Sequence, residues 1–393
     1  MSLQAEHSSA AAGRGPLRVA TKATIGTSAR MRTQVADALA VEETSALMRS
    51  CATNLLQAGG FPLAAQYVQH PSATRRIASV KSPFDPAMAT VVEEPPGPGA
   101  GHWAGAPGAF VDGDTVYLVY RMRWPRPRRG AELRIARGDG ARFETIWRAT
   151  REDFASVSIE RCAIVRDRRT WRLYVSYVDG IDRRWRIDLI EAGSPDSFDP
   201  SARRLALGPD QANAAAVKDP WLRRVGDRWW MFVSYGERAV DDEHLHGSGD
   251  ALSTGAVKSE TGLATSADGV RWTWEGKVLA ASAKGWDRFA SRLTTSFPAT
   301  DGWLGLYDGS ADVTENYEER CGLARSADLR TWERIGSGPA VGAAGGRGTV
   351  RYVESVVFGE RVLFFFERTR ADGAHELCTA SVPLSESGRG SFD

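Results

Sequence analysis

The chain has 393 residues, with 50 Lys+Arg against 49 Asp+Glu and a formal net charge of +1. Its length suits one large domain or two to three ordinary ones, and its 42% hydrophobic and 25% charged content excludes a disordered or membrane-spanning class. Balanced charge excludes a protein that holds nucleic acid by bulk positive potential.

In chain order, residues 1–30 are rich in Ala, Ser, Gly and Thr without periodicity, and a mobile tail is expected. Residues 33–58 carry good helix formers and stop at Gly59-Gly60, which predicts a helix or two. The stretch Glu93-Glu94-Pro95-Pro96-Gly97-Pro98-Gly99 reads as a linker that ends an N-terminal extension, 1–99. No apolar h-region opens the chain, and no apolar run nears the roughly 18 residues of a membrane helix. Cys51, Cys162, Cys321 and Cys378 show no C-x-x-C spacing, which fits reduced buried thiols and a cytoplasmic location.

After residue 100 the pattern changes. Thr115–Tyr120, Trp171–Tyr177, Arg228–Tyr235, Gly302–Tyr307 and Arg361–Phe366 are apolar, aromatic-rich runs, each following a polar turn and ending in Tyr or Phe. They recur about every 57 to 60 residues, except for one interval of about 72 that contains the polar stretch Asp241–Lys258. Strand units repeating at this spacing predict a β-propeller. A second echo supports it: Gly262-Leu263-Ala264-Thr265-Ser266-Ala267-Asp268 returns as Gly322-Leu323-Ala324-Arg325-Ser326-Ala327-Asp328, with Trp272 and Trp332 following. The expected architecture is all-β: a five-bladed β-propeller over 100–393, preceded by a partly helical or disordered extension. Most of the 13 tryptophans then pack between blades, while Trp103, Trp124 and Trp221 are candidates for a channel mouth.

With these motifs the chain resembles the five-bladed β-propeller glycosidase superfamily, which holds the arabinanase/β-xylosidase, invertase/levansucrase and mannoside phosphorylase groups. Ser266-Ala267-Asp268-Gly269-Val270-Arg271-Trp272 is similar to the S-x-D-G-x-x-W turn common there. Lys218-Asp219-Pro220-Trp221 is similar to its acidic blade opening. The resemblance implies a site where first strands converge at one end of the channel. Glycoside cleavage there needs a proton donor and a second carboxylate.

The openings supply candidates. Blade 1 opens with His102-Trp103 and lacks the carboxylate expected of a hydrolase base. Blade 2 offers Glu160, blade 3 Asp219 with Trp221, and blade 4 Arg292 with Asp308 on the next strand. Blade 5 offers Arg351 and Glu354, with Glu367 and His375 beyond. Arg121 matches the substrate arginine of the phosphorylase group. Asp219, Glu160 and Glu354 are the expected catalytic residues. His102, Trp103, Arg121, Trp221, Arg292, Asp308, Arg351, Glu367 and His375 are expected substrate contacts. Bland alternatives stand beside them: an inter-blade ion pair for Glu160, a turn acceptor for Asp219, a rim charge for Glu367. His244 and His246 alone are too few for a metal site, and no cofactor is required. The expected partner is a small-molecule or oligosaccharide substrate, with neither nucleic acid nor membrane. Hydrolysis, phosphorolysis with arginine-bound phosphate, non-hydrolytic acid/base chemistry and sugar binding without catalysis all remain open.

Overall fold

The computed structural model describes residues 83–238, 242–299 and 302–383. The expected tail at 1–30 and helix around 33–58 lie outside the described residues. The remainder is a five-bladed β-propeller.

Blade 1 is β2 (Trp103–Asp112), β3 (Thr115–Trp124), β4 (Arg129–Gly138) and β5 (Phe143–Thr150). Blade 2 has an inner edge split into β6 (Ser156–Ile159) and β7 (Ala163–Asp167), then β8 (Thr170–Asp179), β9 (Trp185–Ala192) and β10 (Arg204–Leu207). Blade 3 is β11 (Ala214–Val225), β12 (Arg228–Glu237), β13 (Glu260–Ser266) and β14 (Thr273–Leu279). Blade 4 is β15 (Ala290–Ala299), β16 (Gly302–Ser310), β17 (Arg320–Ser326) and β18 (Glu333–Ile335). Blade 5 is β19 (Val350–Phe358), β20 (Arg361–Thr369) and β21 (His375–Pro383). Its outer strand is β1 (Thr90–Glu93), which pairs antiparallel with β21. The propeller therefore takes in residues ahead of the boundary expected at 99/100, because the last blade borrows its fourth strand from the start of the described chain.

Alternation along each second strand builds the ring. Successive side chains point to opposite faces, so each strand feeds two inter-blade cores. On β20, Val362, Phe364 and Phe366 pack toward blade 4, with Leu304, Leu306 and Leu323. Leu363 and Phe365 pack toward blade 1, with Val116, Leu118 and Tyr120. Equivalent cores lie between blades 1 and 2, 2 and 3, and 3 and 4. The aromatic repeats of the sequence are these second strands. Each large apolar side chain removed from water contributes roughly 1.5–3 kcal/mol. Trp171, Trp229, Trp272 and Trp332 lie in these cores, as expected. Cys162, Cys321 and Cys378 are buried free thiols.

The outer turns follow their sequence motif. Ser266 Oγ accepts from Gly269 N at 2.8 Å, and Asp268 accepts from Val270 N and Arg271 N. Ser326 and Asp328 repeat the pattern in blade 4. The polar stretch between β12 and β13 holds a short helix, Asp242–Gly247. It packs back through Leu245, Ala251, Leu252 and Val257 onto Val178, Trp185, Ala215 and Ala216 of blades 2 and 3. Among the described residues no helix is long and apolar enough to cross a membrane.

Candidate active site

The inner strands break regularity at one common level. In β2, β11 and β19 two residues oppose one on the partner strand, after Gly105, Lys218 and Arg351. β15 carries an irregularity after Leu293, and the gap between β6 and β7 falls at Glu160–Cys162. Ala106, Asp219 and Tyr352 adopt left-handed φ of 52°, 56° and 53° at the bulges. This conformation is strained for residues with a Cβ and persists only where surrounding structure enforces it. A bulge re-aims the side chains around it. Here the re-aimed side chains form a layer of cross-strand partners: Gly105 with Arg121, Glu160 beside Ser176, Lys218 with Ser234, Arg292 with Asp308, and Arg351 with Glu367.

The layer is charged and buried. Arg121 (0% exposed) pairs with Glu160 of blade 2, and with Glu367 of blade 5 at 3.0 Å. Glu367 also binds Arg351 at 2.8 Å, His375 Nδ1 at 2.7 Å and the Ala106 N–H at 3.1 Å. Arg351 reaches Glu319 at 2.6 Å, and Glu319 also pairs with Arg292. Arg292 stands 3.8 Å from Asp308, whose carboxylate accepts from Tyr352 N at 2.9 Å. Asp219 Oδ2 accepts from Ser234 at 2.9 Å and lies 3.3 Å from Lys218, while the Asp219 N–H donates to Ser176 Oγ.

Trp103 stacks on His375 with ring centroids 4.7 Å apart and contacts Tyr317 at 4.9 Å. Arg123 lies 4.5 Å over the same indole, a cation–π contact in a dry setting. His102, also expected at the site, packs its ring near Gly97, and its Nδ1 has no hydrogen-bond partner among the described residues.

At Gly105, where blade 1 presents no side chain, Glu367 of blade 5 fills the space. A Cβ at Gly105 would run into Glu367 Oε2, so blade 5 supplies the negative charge that blade 1 omits.

Burial sets the electrostatics. For Glu160 it opposes ionisation, but Arg121, Lys218 and Arg123 outweigh it and hold the carboxyl below its ordinary range. Glu367 is likewise depressed, burial being overcome by Arg121 and Arg351. Glu319 is brought down to about 2 against burial by Arg292 and Arg351. Asp308 goes the other way: burial, reinforced by Glu319, outweighs Arg292 and pushes it up to about 7. Asp308 therefore holds a proton more readily than Glu160, Glu319 or Glu367.

Several polar atoms in the layer lack hydrogen-bond partners among the described residues. They include Arg121 Nη1, Arg123 Nε, Arg351 Nη2 and Arg292 Nε, the Trp103 indole N–H, and two acceptors, Asp219 Oδ1 and Glu319 Oε1, the latter ion-paired to Arg292. Buried native donors are rarely left unpaired. Over the layer lies the insertion. Its Asp250 accepts from Trp185 at 3.1 Å and Tyr317 at 3.2 Å and pairs with Arg129 at 2.9 Å, tying blades 1, 2 and 4 together across the mouth.

Of the expected site residues, Trp103, Arg121, Glu160, Asp219, Arg292, Asp308, Arg351, Glu367 and His375 come together in this layer. Glu354 and Trp221 do not join it. Glu354 pairs with Arg161 at 2.8 Å and accepts from the Trp221 indole at 3.1 Å, past the β19 bulge. Its other partner is Ser355 N. Trp124, another mouth candidate, stacks against Arg128 instead. Sequence reasoning missed Arg123, Lys218, Tyr317, Glu319 and Asp250. Arg123 was legible as the i+2 neighbour of Arg121 on one strand face. Nothing local marked Tyr317, Glu319 or Asp250, which arrive on loops. Among the described residues no group of three or more His, Cys, Asp or Glu side chains is placed to hold a metal ion.

No family model and no curated protein matches the sequence. Solved structures match the fold. A β-1,2-mannobiose phosphorylase from Listeria innocua superposes with a TM-score of 0.51 at 13% identity, covering 76% of this chain and 92% of its own. A glycoside hydrolase gives a TM-score of 0.57 at 13% identity, covering 78% and 94%. A thermostable family-43 glycoside hydrolase gives 0.54 at 11% identity, covering 72% and 90%. At such identity the likeness establishes the five-bladed propeller shared with these enzymes, and function has to be argued from the site.

Proposed function

We propose that the protein is a carbohydrate-active enzyme that transfers a glycosyl unit between a sugar or small-molecule alcohol and phosphate at the charged layer. One observation carries this reading: guanidinium and indole N–H donors without hydrogen-bond partners among the described residues surround the channel beside Asp219 Oδ1, which lacks one too, whereas Glu319 Oε1 is ion-paired to Arg292. Two-carboxylate hydrolysis needs a proton donor and a second carboxylate with an oxygen free to reach water or the anomeric carbon. Glu160, expected as one of them, is held ionised by Arg121 and Arg123, both on the second strand of blade 1, and is better suited to anchoring those arginines. Glu367, which fills the space of a blade-1 base, has its oxygens occupied by Arg121, Arg351, His375 and Ala106 N.

Arginine forks suit phosphate. With phosphate held by Arg121, Arg123 and Arg351, one of its oxygens attacks the anomeric carbon. The bond from that carbon to the leaving oxygen breaks, and Asp219 relays the phosphate's proton to the leaving oxygen. The products are a glycosyl phosphate and a free hydroxyl. The insertion over the layer limits water, which favours transfer to phosphate over hydrolysis.

The test is turnover of a panel of aryl glycosides and β-linked disaccharides with and without inorganic phosphate, with Asp219→Asn and Arg121→Met alongside. Phosphate-dependent release of glycosyl phosphate, lost in both variants, is expected. Equal turnover without phosphate would replace this reading with hydrolysis, and an inert panel would sink it.

A further inference from the structure

A second feature lies at the opposite end of the channel, where the inner strands leave it. There a cavity of about 590 Å³ opens, lined by residues of blades 1, 2, 3, 4 and 5. Its size is that of small-molecule sites. Trp221, Trp229, Phe297 and Phe364 form apolar walls. Ser296 also lines it, is 2% exposed, and its Oγ has no hydrogen-bond partner among the described residues. A hydroxyl buried in an apolar wall without a partner is costly, so a ligand that meets it gains. Glu354 does not meet it, since its oxygens are taken by Arg161, Trp221 and Ser355.

The rim is basic. Arg166 pairs with Asp112 through Nη1 but leaves Nε without a hydrogen-bond partner. Arg168, exposed in the turn between β7 and β8, makes no ion pair or hydrogen bond among the described residues. We infer that this cavity binds an amphipathic organic anion. Its aromatic or branched aliphatic body lies between the Trp and Phe side chains, hydrogen-bonded to Ser296, with its acid group at Arg166 and Arg168. The site is separate from the charged layer and does not depend on the glycosyl-transfer reading.

The full chain is titrated with phenylbutyrate, phenylbutanol and phenylbutylamine, which share one body with an anionic, neutral or cationic head. Quenching of tryptophan fluorescence and calorimetry report binding. The acid is expected to bind roughly threefold to tenfold more tightly than the alcohol, with the amine weakest, as for charge-assisted contacts at a partly exposed rim. Arg168→Ala should bring the acid down to the alcohol's affinity. Ser296→Phe and Leu222→Trp fill the cavity and should abolish binding of all three with the circular dichroism unchanged. If Ser296→Phe fails to fold, Leu222→Trp, at a half-buried wall position, carries the test. No binding of the acid in the millimolar range, equal affinity for acid and amine, or unchanged binding in the filled variants would overturn the inference.

Discussion

Replacing Glu367 with Gln tests whether the charged layer is a dry, mutually dependent network. Glu367 is 0% exposed and holds two arginines, at 3.0 and 2.8 Å, and the His375 ring at 2.7 Å. Removing one partner of a buried ion pair costs about 3–5 kcal/mol. The low end applies, because Arg121 keeps Glu160 and Arg351 keeps Glu319. For a propeller of roughly 300 residues, with an unfolding entropy near 2.1 cal/mol/K per residue, that lowers Tm by about 5 °C. The carboxyl is depressed in the folded state, so its contribution is complete above the ordinary carboxylate range and is lost as pH falls through the folded value. The gap between wild type and Glu367→Gln should be full at neutral pH and close on acidification. Urea unfolding and calorimetry across pH measure it. Glu144→Gln, at the exposed pair with Arg137, serves as control and should leave Tm unchanged. A loss below about 1 kcal/mol at neutral pH, or a gap that widens in acid, would refute the picture of a water-excluded network.

Gly105→Ala drives a methyl into the Glu367 carboxylate and should cost about 1–3 kcal/mol, read by urea unfolding. Phe84→Ala removes a ring that is 3% exposed and stacked on Phe364 at 4.6 Å, and should cost about 3 kcal/mol in the same assay. Asp308 is pushed up to about 7 in the folded state, so its contribution is present below the ordinary Asp range and lost as pH rises through about 7. The stability gap to Asp308→Asn should therefore shrink between mildly acidic and mildly alkaline pH, and a gap that grows would contradict the burial argument.

The blade repeat was readable because each second strand has to satisfy two apolar interfaces, which forces a dense aromatic run such as Val362–Phe366. Most layer residues on the inner strands were readable from the same repeat: the spacing that locates Glu160 also locates Asp219, Arg292 and Arg351, while Lys218 beside Asp219 was passed over. Glu354 was misgrouped because a bulge of one extra residue after Arg351 changes which level of the channel a side chain meets. Spacing in the chain does not show that shift. Glu319 and Asp250 were invisible for another reason. Their roles depend on partners more than thirty residues away in sequence or on other blades, such as Arg351 and Arg129. The strand Thr90–Glu93 sits beside prolines and glycines and has only Val91 and Val92 to declare it, so its pairing rests on the backbone of a strand nearly three hundred residues on.

That pairing bears on how the molecule is made. β1 leaves the ribosome before blades 1 to 4, and the strand it needs, His375–Pro383, follows all of them. Until then the edge of β1 is an unpaired template, and the ring cannot close whatever the state of blades 1 to 4. Loop closure over such a separation is slow, and species with open edges are the ones that aggregate. Yield in the cell should therefore respond less to the stability of the finished ring than to how long the first strand waits for its partner.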